Sequence, residues 1–149
     1  MPGGQAWTQK NPPAGHQCWS WMPQDLDELS HVRRQFRARI TDPTEQSRLP
    51  DLDPDRIEEC VLALDELMSN GLRHGRPPVE VQVCAADGGV LILVSDRDTE
   101  NPPQPTSTRD PAEGGMGLGM VATVSTDCGW TTHEDCKTVW ALMPSNPAG

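Results

Sequence analysis

Apolar positions change period along the chain, and the changes mark its elements. His16 to Met22 (HQCWSWM) alternates, with Cys18, Ser20 and Met22 on one side and Trp19 and Trp21 off it, predicting a short strand with two large aromatics to bury. From Asp25 the period lengthens: Leu26, Leu29, Val32, Phe36 and Ile40 recur every three or four residues with Arg33, Arg34, Arg37 and Arg39 between them. That pattern predicts an amphipathic helix capped by Asp25 and ended by Asp42-Pro43. A second helix is expected from Asp53-Pro54, because Pro suits a first helical position and the Asp carboxylate accepts free amides. Its apolar stripe is Ile57, Val61, Leu64, Leu67 and Met68, and Gly75 suits its end.

Alternation returns at Val79, Val81 and Val83, followed by the turn Asp87-Gly88-Gly89 and the run VLILV, which together predict a β-hairpin. The second run is apolar on both faces, as a central strand covered on one side by helices requires. Residues 97 to about 114 carry four prolines and no period, so they are expected to form a functional lid. GGMGLGM then leads into a short helix, VATVST, and the stretch CGWTTHEDCKTVWALM predicts a closing hairpin that turns near Glu134-Asp135. Strands and helices that come in runs without strict alternation favour an α+β two-layer sandwich.

The chain has 149 residues and a formal net charge of −10, which argues against a nucleic-acid or anionic-membrane partner. No apolar run approaches the ~18 residues of a membrane span and no signal-peptide order opens the chain, so a cytoplasmic location is expected. Residues 1–15 and 144–149 read as disordered tails flanking one domain, 16–143. The five cysteines are odd in number and lack a CxxC pair; they are expected to be reduced thiols packed as small apolar groups, although Cys128 and Cys136 can face one another across the last hairpin. The four histidines show no metal-ligand spacing with the cysteines, so no metal site made by the protein alone is expected.

Three constellations carry chemistry. Glu66, Asn70 and His74 are spaced by four on the second helix, away from its apolar stripe. A carboxylate one turn from a carboxamide can hold a hydrated Mg²⁺, although alone the spacing more often marks a solvated face. Asp96 stands where the VLILV strand ends, a place from which a carboxylate can accept a hydrogen bond from an exocyclic amine; aspartates also end strands simply because they favour turns. The loop Gly114 to Met120 has glycines that let a phosphate approach the backbone, and the following helix aims free amides at the anion. No Gly-Lys-Ser/Thr follows, which separates it from a P-loop.

In this order (E-x-x-x-N helix, hairpin ending in Asp, proline-rich lid, GGMGLGM, closing strand with Lys137-Thr138-Val139-Trp140) the chain resembles the GHKL, or histidine-kinase-like, ATPase superfamily over about residues 16 to 143. Within it the resemblance is to the stand-alone anti-sigma factor and serine/threonine-kinase branch. It implies a Bergerat-type ATP-binding fold, with a mixed, mostly antiparallel sheet, and ATP and Mg²⁺ as cofactors. By the same resemblance Glu66 positions or deprotonates the attacking group, Asn70 ligates Mg²⁺, and Arg73 and His74 lie near the phosphates. Asp96 reads the adenine amino group with Thr138 in support, and Gly115, Gly117, Leu118 and Gly119 surround the triphosphate. The partners implied are a sigma factor or an anti-anti-sigma-type protein, and a second copy of the chain.

The superfamily's first glycine box, D-x-G-x-G, stands here as Asp96-Arg97-Asp98-Thr99-Glu100. Without its glycines the backbone needs another path, and two added carboxylates oppose a polyphosphate unless they point away or meet Mg²⁺. The resemblance, with Glu66, Asn70 and the glycine loop intact, implies an ATP-dependent serine/threonine kinase that also sequesters a partner; the missing glycines favour the alternative, a regulator that binds without catalysis. A detached sensor histidine-kinase core is disfavoured, because no helix bearing a phospho-acceptor histidine precedes the domain and His31 lies among arginines as an ordinary surface residue.

Overall fold

Five strands form one antiparallel sheet in the order β1-β2-β3-β5-β4. They are β1 (Gly15–Trp21), β2 (Glu80–Ala86), β3 (Gly89–Asp96), β4 (Asp127–His133) and β5 (Cys136–Pro144). Three helices, α1 (Leu29–Thr41), α2 (Pro54–His74) and α3 (Gly117–Val124), complete an α+β two-layer sandwich. The computed structural model describes residues 7–42, 44, 50, 52–103 and 117–145, and the backbone but not the side chain of Gln17.

The local signals act as expected. Asp25 accepts from the Glu28 amide and caps a 3₁₀ turn, Leu26–Glu28, that feeds α1. Asp53 accepts from the Arg56 amide at 2.9 Å, and α2 runs 21 residues to a C-cap at Gly75. Arg33 pairs with Asp65 and Arg37 with Glu58, so the basic face of α1 meets acids of α2. The hairpin turns at Asp87-Gly88, with Gly88 at φ +86°, where a side chain is strained. β3 is the central strand, paired with β2 from Glu80–Ser95 to Ala86–Gly89 and with β5 from Gly89–Pro144 to Asp96–Lys137.

Parity along β3 and β5 sorts the core. Val90, Ile92, Val94, Val139, Ala141 and Met143 belong to the cluster beneath the helices, with Leu64, Leu67 and Met68 of α2. Leu91, Trp140 and Leu142 face the other way and form a second cluster with Cys84.

That second face is covered by a segment of the expected N-terminal tail, so the expectation of disorder is corrected for residues 7–15. The Lys10 amide donates to the Trp130 carbonyl at 2.8 Å, and the Trp130 amide donates to the Thr8 carbonyl at 3.1 Å. Gln9 thus forms an isolated parallel bridge on the outer edge of β4. The Trp140 indole donates to the Lys10 carbonyl at 3.0 Å, and the chain then reaches β1 on the opposite edge at Gly15, where a Cβ would meet Cys84 at 2.8 Å and Leu91 at 3.2 Å. Burying Trp7 and Trp140 outweighs the polar composition that suggested disorder. Residues 1–6 and 146–149 lie outside the described residues; Pro144 closes β5.

The cysteine expectation is also corrected. Cys18 and Cys84 form a disulfide, with Cα atoms 4.1 Å apart. Register slips between His16 and Trp19 on β1, and this bulge brings Cys18 beside Cys84, an irregularity that strict alternation conceals. Cys128 and Cys136 do not face one another: Cys128 is opposite Ala141 and Cys136 is opposite His133. Neither is in a disulfide, nor is Cys60.

Candidate functional site

Among the described residues, the buried polar or charged side chains are Glu66, Asn70, Asp96, Asp98 and Lys137, at 6, 7, 2, 5 and 3% exposure. Interiors exclude such groups unless they are paired or have work to do, so the set marks where the fold gives up apolar packing for chemistry. Two of the five sit on α2 and three at the joined ends of β3 and β5.

α2 packs on β3, β5 and α3. Gly71 and Gly75 let it settle: a Cβ at Gly71 meets Val94 at 3.2 Å, and one at Gly75 meets the Asp96 carboxyl at 2.4 Å. Gly75 has φ −89°, so space and not conformational freedom requires glycine there. Glu66 and Asn70 are buried on adjacent turns, whereas Arg73 and His74 are exposed at the helix end. The solvated-face reading therefore fails for Glu66 and Asn70. Their oxygen donors suit a magnesium ion that keeps most of its waters.

Asp96 ends β3 and turns inward. Its Oδ1 accepts the Asp98 amide at 2.7 Å and the Arg76 amide at 3.4 Å, and its Oδ2 lies 3.7 Å from the Lys137 ammonium. Lys137 Nζ also donates to the Asn101 carbonyl at 2.7 Å. The Asp98 carboxylate accepts from the Asn101 carboxamide at 2.9 and 3.2 Å and from the Glu100 amide at 3.2 Å. The Asn101 hydrogen bond, followed by that from the Glu100 amide and by the charges of Lys137 and Arg76, holds the Asp98 carboxyl below its ordinary range.

This network answers the question raised by the missing glycines. Neither Asp98 nor Glu100 has positive φ; Asp98 folds back on its own turn and organises residues 96–101. The Arg97 amide donates to the Arg76 carbonyl at 2.9 Å, tying this turn to the segment that leaves α2.

Thr138, expected beside Asp96, lies on the other face of β5 and shares a 2.8 Å hydrogen bond with Ser95. Lys137 occupies the place next to Asp96 instead. Sequence reasoning passed over Lys137, yet its parity with Val139 and Ala141 already placed a lysine on the helix-facing side. Gly117, Leu118 and Gly119 form the first turn of α3 and do not precede it; Gly117 has φ +66°, and nothing lies within 4 Å of a Cβ placed at Gly119. First-turn amides lack intrahelical partners and suit an anion. Gly115 and residues 104–116 of the expected lid lie outside the described residues.

Residues 22–143 match the family model described as the histidine kinase-like ATPase domain. The chain belongs to the histidine kinase-like ATPase family. Nucleotide binding comes with that membership. Among solved structures, this family member is similar to the RsbU and RsbW domains of Rv1364c from Mycobacterium tuberculosis, with a TM-score of 0.58 and 20% identity. The match covers 89% of this chain and 34% of that one, so the chain spans about a third of its length, and the likeness is one of fold. No curated protein matches the chain. Among the described residues, no helix is long and apolar enough to cross a membrane.

Proposed function

We propose that this histidine kinase-like ATPase domain is an ATP-binding regulatory serine/threonine kinase of the anti-sigma type, which binds and phosphorylates an anti-anti-sigma-type protein partner. The observation that carries the reading is the burial of Glu66 one helical turn from Asn70, on the helix that packs against the glycine-led α3. Asn70, with Glu66 nearby, is suited to hold Mg²⁺ through its waters, and the first-turn amides of Gly117, Leu118 and Gly119 are suited to phosphate oxygens. ATP, when bound, supplies the phosphoryl group. Glu66 is the base for a partner's serine or threonine hydroxyl, and little else is required because such transfers depend mainly on positioning and charge. Addition of close to two negative charges to the partner then changes its binding. Arg73 and His74 are exposed where they can meet phosphates or the partner surface.

The metal and phosphate ends of ATP fit the residues present. Its base end does not fit in the same way, because Asp96 is already bonded within the chain. This observation favours a second reading, a regulator that sequesters a sigma factor or its antagonist by contact without catalysis.

Calorimetric titration of Mg²⁺-ATP into the wild type and Asn70→Ala separates the two when combined with a phosphotransfer assay on candidate partners. Binding that weakens at least tenfold in the variant (~1.4 kcal/mol), with transfer that Glu66→Ala abolishes, is the expected result. Tight ATP binding with no transfer to any partner would leave the sequestering reading.

A further inference from the structure

The Asp96 carboxylate is enclosed by its own chain. Two backbone amides, from Asp98 and Arg76, address Oδ1; the Lys137 ammonium stands 3.7 Å from Oδ2; and a Cβ at Gly75 would lie 2.5 Å from the same oxygen. Lys137 is in turn anchored by the Asn101 carbonyl, and Asn101 by Asp98. We infer that Lys137 closes the base end of the nucleotide site, so that this protein grips a nucleoside triphosphate by its phosphates and does not select the base. The inference rests on the nucleotide-binding reading above and deepens it.

A pocket discriminates between ligands by hydrogen bonds when a wrong ligand leaves a buried polar group unpaired. Asp96 and Lys137 are both almost fully buried and both partnered without any ligand. A base lacking an exocyclic amine therefore leaves no buried charge without a partner here, since the Asp96 carboxylate is paired with the Lys137 ammonium at 3.7 Å, and a base bearing one has to displace that ammonium ion to reach Asp96. Displacement is unfavourable, because a buried charge that loses its partner costs far more than one new neutral hydrogen bond returns. The strand register makes the closure specific to this residue. Asp96 and Lys137 are direct cross-strand partners on the helix-facing side, while the hydroxyls of Ser95 and Thr138 meet each other on the opposite side. The residues suited to the phosphates lie on other elements, α2 and the first turn of α3, so closing the base end leaves Asn70 and the glycine amides in place.

The test is calorimetric titration of the full chain, with Mg²⁺, by ATP, by ITP (which carries an oxygen in place of the exocyclic amine) and by inorganic tripolyphosphate. ATP and ITP are expected to bind within about threefold of each other. A preference for ATP of about tenfold or more overturns the inference while leaving the nucleotide-binding reading intact. Failure of all three to bind overturns both. Lys137→Met, which removes the ammonium and keeps the stem, is expected to gain a preference for ATP over ITP of about tenfold. A variant that folds, by circular dichroism, and still binds the two equally overturns the inference. If the variant does not fold, the wild-type ratio of ATP to ITP affinity decides alone.

Discussion

The indole Nε1 of Trp7 donates to the backbone carbonyl of Leu118 at 3.1 Å, joining residues 111 positions apart. Leu118 lies in the first turn of α3, so the N-terminal segment is fastened to the helix whose first-turn amides are proposed to meet phosphate. Trp7 is buried against the main core. Trp7→Ala therefore removes a large side chain and a hydrogen bond together, and is expected to destabilise the domain by about 3 kcal/mol. Urea unfolding followed by far-ultraviolet dichroism measures this. An unchanged midpoint would mean that the segment lies on the sheet without contributing to it.

The cysteines give a prediction in whole numbers. With Cys18 and Cys84 joined, the cysteines outside the disulfide are Cys60, Cys128 and Cys136. Burial pushes the Cys60 thiol up to about 12, and burial also raises Cys128, so neither offers thiolate near neutrality. Cys136 is half-exposed at the start of β5. Iodoacetamide should label Cys136 alone in the native, non-reduced protein, three cysteines after unfolding and five after unfolding with reduction. Reduction should also lower stability by about 2–4 kcal/mol, since the bond closes a long loop. Five labelled cysteines without reductant would show that the bond is not formed.

Acid should loosen the turn after β3. The Asp98 carboxyl is held below its ordinary value of 3.8, chiefly by the Asn101 carboxamide. A depressed folded-state value contributes stability above the ordinary one, and this is lost as pH falls through the folded-state value. The stability difference between wild type and Asp98→Asn should accordingly shrink as pH is lowered from about 5 to about 3. Unfolding midpoints across that range test it, and a constant difference would mean that Asp98 acts by shape alone.

Periodicity and capping chemistry were sufficient for the elements. Asp53-Pro54, Asp87-Gly88 and Glu134-Asp135 stand where α2, the first hairpin and the last hairpin start or turn, because these signals are local. Glu66, Asn70 and Asp96 were also legible, as polar residues at regular spacing or at a strand exit. What could not be read in this way depended on register. A bulge on β1 decides that Cys18 meets Cys84, and strand parity decides that Lys137, not Thr138, stands beside Asp96. The N-terminal cover was hidden for a different reason: residues 7–14 have no period of their own and are ordered by the edge of β4 and by the Trp140 ring.

The close seating of Gly75 on Asp96 has a consequence for how freely this protein can be altered. The helix that carries Glu66 and Asn70 ends within a carbon's width of the carboxylate that ends β3, with Gly71 set against Val94 one turn earlier. The two halves of the site are thus keyed like parts of one rigid block, and a side chain at position 75 would wedge them apart. A saturation library across α2 and its cap should accordingly recover almost nothing but glycine at 75, whatever property is selected.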